Sequence, residues 1–143
     1  MLLSGVIVID LSYGIVPFRR THQGWEVLLI QHRKDHYWGF PKGHLEKGEE
    51  MLDGAVRELF EETNLTVDDL LCDTPFVEHY QFEVNKQVVK KTVTYFAAYV
   101  SGEIKVQDAE ILQARWCPVD LALTILTYDE AKNLFKTVLT KIA

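Results

Sequence analysis

The alternation of apolar and polar positions along the chain predicts several β-strands. Runs rich in β-branched and aromatic residues are bounded by turn residues, which is typical of strands. We expect them at residues 13–18, 25–32, 76–84, 88–100 and 112–117. The segment Asn85-Lys86-Gln87 separates two of these runs and predicts a hairpin between them.

Two other segments have the periodicity of amphipathic helices. In residues 49–63, apolar side chains at positions 52, 55, 56 and 59 form one stripe, and in residues 128–142 positions 131, 134, 135, 138 and 139 do the same. Thr127 and Glu130 have the spacing of a capping box before the second helix. A weaker helical pattern covers residues 119–125. Strands mixed with a few helices predict a sheet covered by helices on its faces.

The composition indicates one domain, which we assign to residues 1–143. With 143 residues, 48% of them apolar, the chain can bury a core without covalent staples. Cys72 and Cys117 have no spacing that predicts a disulfide framework or a thiolate metal site. Residues 1–12 form either an extra N-terminal strand, with residues 5–9 in it, or a leader. Because Asp10 interrupts this apolar start and no basic region precedes it, we expect no signal peptide, no membrane segment and a cytoplasmic protein.

The net charge limits the partners that the chain can bind. It is −6 at pH 7, whereas proteins that track a phosphate backbone normally present a basic stripe. We therefore expect no nucleic-acid partner. An anionic ligand must meet either local positive charge or a bound cation.

The end of the first helix concentrates acidic side chains. Glu58, Glu61 and Glu62 lie at i, i+3 and i+4, so their carboxylates converge on one quadrant of the helix. Like charges at this spacing destabilise a helix, and at its C-terminal end they also oppose the macrodipole. A divalent cation removes the conflict, and carboxylate oxygens suit Mg²⁺ or Mn²⁺. The alternative is a solvated acidic face without a ligand.

The residues around this helix complete a specific pattern. Gly43 is followed after five residues by Glu49 and, after seven more, by Arg57-Glu58-Leu59-Phe60-Glu61-Glu62-Thr63-Asn64-Leu65. This pattern resembles the Nudix box of nucleoside-diphosphate-linked hydrolases at every position but one. The exception is Asn64, where the family usually has glycine. Asparagine is the next best residue for a left-handed position after a helix, so we expect Asn64 to adopt that conformation.

The resemblance implies a fold, a reaction and roles for residues. The fold is the α/β (α+β) Nudix fold, a mixed β-sheet in an α/β/α sandwich. The reaction is Mg²⁺-dependent attack of water on a phosphorus, with Mn²⁺ able to replace Mg²⁺. Glu58, Glu61 and Glu62, together with the Gly43 carbonyl, match the metal ligands of the family. Arg57 and Glu49 match a pair that holds the preceding loop to the helix.

Beyond the box, most of residues 13–139 resemble the asymmetric diadenosine tetraphosphate hydrolases. The matching pieces are HYWGFPKGHLE at 36–46, KTVTYF at 91–96 and EILQARW at 110–116. A long polyphosphate needs cations, for which Lys42 and Lys91 are candidates. Lys90 lies on the opposite face of the same strand from Lys91, so only one of the two can point into the site. His36 is a further candidate for phosphate contact or proton transfer.

Adenine stacking and water activation add further candidates. Stacking on an aromatic ring is worth about 1–3 kcal/mol per base. Tyr80, Tyr95 and Tyr128 match or lie near aromatic positions of the family's nucleotide pocket, with ordinary core packing as the alternative for each. Glu110 is a candidate for a further metal ligand or for the general base, and Glu58 is its rival.

The resemblance therefore implies an enzyme, a Nudix pyrophosphohydrolase that converts diadenosine tetraphosphate into ATP and AMP. We expect it to act as a monomer on a small-molecule nucleotide. The alternatives are an RNA 5′-pyrophosphohydrolase, another nucleoside-diphosphate-linked Nudix hydrolase, or a non-catalytic Nudix-fold nucleotide sensor. An intact set of glutamates argues against the sensor.

Overall fold

The strands and helices follow one another with short connections. The computed structural model describes residues 6–142, which form eight strands and three helices. The strands are β1 (Ile7–Thr21), β2 (Gly24–His32), β3 (Trp38–Gly39), β4 (Lys42–Gly43), β5 (Thr66–Leu70), β6 (Phe76–Val84), β7 (Gln87–Ser101) and β8 (Ile111–Pro118). The helices are α1 (Met51–Thr63), α2 (Val119–Ile125) and α3 (Asp129–Ile142). None of these helices is long and apolar enough to cross a membrane.

The sheet is built around one long parallel pair. β1 runs parallel to β7 over most of its length, from the pair Ile7 and Val88 to the pair Phe18 and Tyr99. The other pairings are antiparallel: β2 and β4 with β1, β5 and β6 with β7, and β3 and β8 with β2. The sheet is therefore mixed.

Strand alternation divides the core into two layers. On β2, Val27 and Leu29 pack in the same cluster as Phe135 of α3, whereas Leu28 packs with Leu59 of α1 on the other face. The sheet thus lies between α1 on one face and α2 with α3 on the other. This arrangement confirms the predicted α/β/α sandwich.

Residues 7–12 belong to the sheet. β1 begins at Ile7, so residues 7–12 are the first part of this long strand, while residues 1–5 of the predicted N-terminal strand or leader lie outside the described residues. The hairpin between β6 and β7 is one residue tighter than expected. Asn85 and Lys86 both have positive φ, at 49° and 65°, and Val84 pairs with Gln87, which defines a two-residue turn of the type that matches strand twist.

Two local predictions were incomplete or wrong. The strand β5 was missed because two aspartates, which are rare in strands, occupy its centre. The capping box at Thr127 does not form, because α3 begins at Asp129 and Thr127 lies one position too early to be its N-cap. The Thr127 hydroxyl instead accepts a hydrogen bond from the Trp38 amide at 2.8 Å, and its own amide donates to the Trp38 carbonyl.

Candidate active site

The acidic helix α1 is fixed at both its apolar face and its C-terminal end. Ala55 and Leu59 are fully buried against the sheet. At the end of the helix Asn64 has φ 69°, the predicted left-handed conformation, and its amide donates to the Phe60 carbonyl. The Asn64 side chain also donates to the Glu103 carbonyl at 2.9 Å, which ties the end of the helix to the following loop. The departure from glycine at this position therefore leaves the helix end intact.

Arg57 gathers the carboxylates of this region around one guanidinium. It donates two parallel hydrogen bonds to Glu49, at 2.8 and 2.9 Å. Its Nη1 donates to both Glu58, at 3.0 Å, and Glu61, at 2.9 Å, while Nη2 donates to the His44 carbonyl. Such charge-assisted forked bonds are strong and directional. Arg57 thus links the loop before α1 to the acidic end of the helix.

Gly43 and Lys42 of β4 lie directly against the acids of α1. A Cβ atom at position 43 would fall on the carboxylate of Glu58, so the absence of a side chain at Gly43 makes room for it. One residue earlier, the Lys42 amide donates to Glu62 Oε1 at 3.1 Å. The backbone of β4 therefore orients Glu62 and leaves space for Glu58.

The acids differ in how easily they ionise. Glu62 is only 3% exposed, and burial with the nearby charge of Glu58 raises its pKa to about 8. Burial also raises the pKa of Glu58. The hydrogen bonds from Arg57 lower the pKa of Glu49 to about 2. The ionised form of a buried carboxylate with a raised pKa is strongly stabilised when a cation comes near it.

The carboxylates of Glu58, Glu61 and Glu62 face Arg57 and the backbone rather than one another. Within residues 6–142, no three His, Cys, Asp or Glu side chains are grouped so that they could hold a metal ion as they stand. The reason is visible in the contacts above: Glu58 and Glu61 turn to Arg57, and Glu62 turns to the Lys42 amide. The donor set nevertheless consists of carboxylate oxygens, which hard dications prefer.

A pocket of about 490 Å³ opens beside β4, between the β6–β7 hairpin and the start of α3. Its lining combines aromatic rings with charged groups, among them Tyr37, Lys42, Glu78, Tyr80, Lys91, Tyr95, Tyr128 and Glu130. Lys42 belongs to both parts of the site, because its amide holds Glu62 while its side chain lines the pocket. Gly14 permits this arrangement, since a Cβ atom there would overlap the Pro41 carbonyl and the Lys42 Cβ.

Two lysines supply positive charge inside the pocket. Lys91 lines it and donates to Asp10 at 2.9 Å, whereas Lys90 is exposed and does not line it. Asp10 also binds the His44 ring at 2.6 Å. Burial opposes the ionisation of Asp10, but its hydrogen bonds to Lys91 and His44 prevail and lower its pKa. Burial and the charge of Lys91 lower the pKa of Lys42.

The predicted tyrosines all reach the pocket, but with different exposure. Tyr128 is 50% exposed at its mouth, whereas Tyr95 is 2% exposed and belongs to the core as well. Tyr80 is half-buried in the wall, where burial and the charge of Glu78 raise its pKa to about 12. Tyr37 lies 5.3 Å from Tyr128, centroid to centroid, at an angle of 46°. The exposed ring of Tyr128 at the mouth offers a flat surface to a base.

The remaining two candidates lie outside the pocket. Glu110 is exposed just before β8, and its loop is tied to α1 because the Gln107 amide donates to the Glu62 carbonyl. Its charge contributes to the raised pKa values of Glu58 and Glu62. His36 is exposed in the turn before β3 with φ 57°, and it does not line the pocket.

Three residues of the site were not identified from the sequence. Tyr37 lies within the matching piece HYWGF but next to the chosen His36. Glu78 is a charged residue between Phe76 and Tyr80 on the inward face of β6, and that break in the alternation is a signal that could have found it. Asp10 reaches Lys91 through the pairing of β1 with β7, which no local pattern predicts.

Comparison with known proteins identifies the family. Residues 9–138 match the model of the NUDIX domain, so the match begins four residues before residue 13, where the resemblance described above starts. The chain belongs to the Nudix hydrolase family, which confirms the sequence prediction. It is 31% identical over 125 residues to the asymmetrical bis(5′-nucleosyl)-tetraphosphatase of Caenorhabditis elegans, covering 86% of this chain and 89% of that protein. The rat protein of the same name is also 31% identical, over 128 residues.

Solved structures agree with this relationship. The crystal structure of the C. elegans Ap4A hydrolase superposes with a TM-score of 0.72 at 26% identity. The superposition covers 95% of this chain and 100% of that chain. The NUDIX domain of Shewanella oneidensis NrtR, solved with ADP-ribose, gives a TM-score of 0.76 at 19% identity, covering 95% and 90% of the two chains. The second likeness supports the fold alone.

Proposed function

We propose that this protein hydrolyses diadenosine tetraphosphate asymmetrically, giving ATP and AMP, with Mg²⁺ as cofactor. The observation that carries the proposal is the double role of Lys42. Its backbone orients Glu62 at the acidic end of α1, and its side chain lines a pocket with exposed aromatic rings. A nucleoside in that pocket would therefore have its phosphates beside the carboxylates. The similarity to asymmetrical bis(5′-nucleosyl)-tetraphosphatases over most of the chain supports the choice of substrate.

Glu58, Glu61 and Glu62, with the Gly43 carbonyl, would hold the metal ion. When bound, Mg²⁺ neutralises phosphate charge and lowers the pKa of a coordinated water. Glu58 and Glu61 would exchange their hydrogen bonds with Arg57 for the ion. Arg57 would remain anchored by its two bonds to Glu49 and its bond to the His44 carbonyl. In the absence of the ion, Arg57 would hold Glu58 and Glu61 close to the positions in which they bind the metal.

The pocket residues would bind and orient the substrate. Lys42 and Lys91 supply charge to the phosphates, and a phosphate that reaches Lys91 competes with Asp10 for its ammonium group. The exposed ring of Tyr128 offers a surface for stacking of a base, and the half-buried Tyr37 packs beside it. Glu58 and Glu110 are both candidates for the group that accepts the proton of the attacking water.

A substrate panel tests this proposal. The purified chain is incubated with Mg²⁺ and, separately, with diadenosine tetraphosphate, 5′-triphosphorylated RNA, ADP-ribose and oxidised dGTP, and the products are resolved by chromatography. We expect ATP and AMP in equal amounts from the first substrate and the highest kcat/KM for it. Two molecules of ADP, or a preference for RNA ends, would refute the assignment. Binding without turnover would identify a nucleotide sensor.

A further inference from the structure

Glu78 is a buried carboxylate with an unused oxygen. The residue is 8% exposed, and its Oε2 atom is buried without a hydrogen-bond partner. Among the side chains of residues 6–142, Nε2 of His32 is the one other buried polar atom in this condition. Because an unpaired buried acceptor costs folding free energy, it calls for a functional explanation.

The strand register places this carboxylate in the wall of the pocket. In the β6–β7 hairpin Glu78 pairs with Val93, and Tyr80 pairs with Lys91. These two pairs lie on the same face, about 7 Å apart along the strands. Glu78 is thus adjacent to both a candidate stacking residue and a candidate phosphate-binding residue, and all three line the pocket.

The neighbouring charges indicate what kind of group Glu78 can meet. Lys42 and Lys91 influence its charge, but Lys42 donates to the Tyr37 hydroxyl and Lys91 donates to Asp10. From α3, Glu130 adds a second negative charge near Glu78. A phosphate oxygen would be repelled there, whereas an O–H or N–H group would find a free acceptor. On a nucleotide such donors belong to the nucleoside part.

We propose that Glu78 accepts a hydrogen bond from the nucleoside part of the bound nucleotide and so selects nucleosides that carry a donor at that position. The donor is a ribose hydroxyl or a base amino group, which share this chemistry. The inference rests on the proposed function only in requiring that the pocket binds a nucleotide. It does not require that the acids of α1 catalyse cleavage.

The size of the expected effect follows from the charge of the acceptor. A hydrogen bond to an ionised acceptor corresponds to about 10- to 100-fold in affinity. Because burial raises the pKa of Glu78 to about 7, the binding measurements are made at pH 8.5, where the carboxylate is ionised. Leu in place of Glu78 keeps a similar volume but removes both acceptors, and Gln keeps one. Glu83, an exposed residue of the same strand that does not line the pocket, supplies the matched control variant Glu83→Gln.

Calorimetric titration of four ligands tests the proposal. The ligands are AMP, 2′-deoxy-AMP, 3′-deoxy-AMP and purine riboside 5′-monophosphate, which lacks the 6-amino group. We expect the wild type to bind AMP about 10- to 100-fold more tightly than the one analogue that lacks the recognised donor. Glu78→Leu should weaken AMP by the same factor and leave that analogue unchanged, as in a double-mutant cycle. The analogue that behaves in this way identifies the hydroxyl or the amino group.

Other outcomes overturn the proposal. It fails if Glu78→Leu weakens all four ligands equally, if it weakens none, or if AMP does not bind the wild type. If Glu78→Leu does not fold, Glu78→Gln carries the same cycle with a partial effect. If Glu78 and one ligand donor are coupled in the double-mutant cycle but diadenosine tetraphosphate is not cleaved, the proposed function alone is refuted. If diadenosine tetraphosphate is cleaved but no such coupling is found, this inference alone is refuted.

Discussion

The wild type should be less stable at neutral pH than at acidic pH because Glu78 ionises, and Glu78→Gln should not show this decrease. Burial raises the pKa of Glu78 to about 7, from an ordinary value of 4.5. The charge of Glu130 adds to the shift, while Lys42 and Lys91 oppose it. The ionised side chain is therefore tolerated less well in the folded protein than in the unfolded chain.

The sign and size of the effect follow from linkage. Below pH 4.5 the carboxyl is protonated in both states and costs nothing. Between pH 4.5 and about 7 the folded protein retains a proton that the unfolded chain has lost, so stability falls as the pH rises. Above that range the cost is constant. At 1.36 kcal/mol per pKa unit, the full shift corresponds to about 3 kcal/mol, a substantial part of the 5–15 kcal/mol typical of a domain.

Urea unfolding of both proteins from pH 5 to 8.5 measures this effect. Tryptophan fluorescence reports unfolding, and a chelator excludes metal ions. The difference in unfolding free energy between Glu78→Gln and the wild type should grow by about 2 to 3 kcal/mol across this range. Other titrating groups cancel in the difference. Glu83→Gln serves as the control and should show a constant difference, since its side chain is exposed. A constant difference for Glu78→Gln as well would refute the argument from burial.

Three further substitutions test particular contacts. Gly43→Ala places a Cβ on the Glu58 carboxylate. Because the flexible end of that side chain can move, the free energy of unfolding should change by less than about 1 kcal/mol, but the rate of hydrolysis should fall at least tenfold. Unchanged kinetics would contradict this prediction. Asn64→Ala should cost about 1–2 kcal/mol in a urea titration because of its positive φ, whereas Asn64→Gly should cost less; equal losses would exclude strain as the cause. Lys91→Gln should raise KM for diadenosine tetraphosphate about tenfold with little change in kcat, and an unaltered KM would remove Lys91 from the binding site.

The features that the sequence predicted are mostly local. The spacing of Glu58, Glu61 and Glu62 is fixed by helix periodicity, so their position on one side of α1 needed no tertiary information. The same holds for the left-handed Asn64, since the end of a helix restricts the backbone locally. The Nudix pattern then supplied the fold through resemblance. The helix spacing, the Asn64 conformation and the Nudix pattern all depend on residues that lie close together in the chain.

The features that were missed depend on long-range pairing or on competition between contacts. Asp10 reaches Lys91 because β1 lies parallel to β7 in one particular register, which no local sequence pattern predicts. Helix spacing predicted that the acids lie on one side of α1, but it did not predict that Arg57 forms hydrogen bonds with Glu58 and Glu61. Local propensity also pointed the wrong way at β5, where pairing with β7 outweighs the low strand propensity of its aspartates.

A manganese titration of the metal-free protein tests most directly whether the acids of α1 bind the dication on which hydrolysis depends. Binding is followed by electron paramagnetic resonance, and the rate of cleavage of diadenosine tetraphosphate is measured in the same samples. Glu50→Gln, a substitution at the exposed N-cap of α1, is the matched control. We expect the wild type and the control to bind Mn²⁺ and to gain activity as they do so, and the double variant Glu61→Gln/Glu62→Gln to lose both properties while remaining folded. Equal Mn²⁺ binding by the double variant, or cleavage that proceeds without added metal, would contradict the assignment.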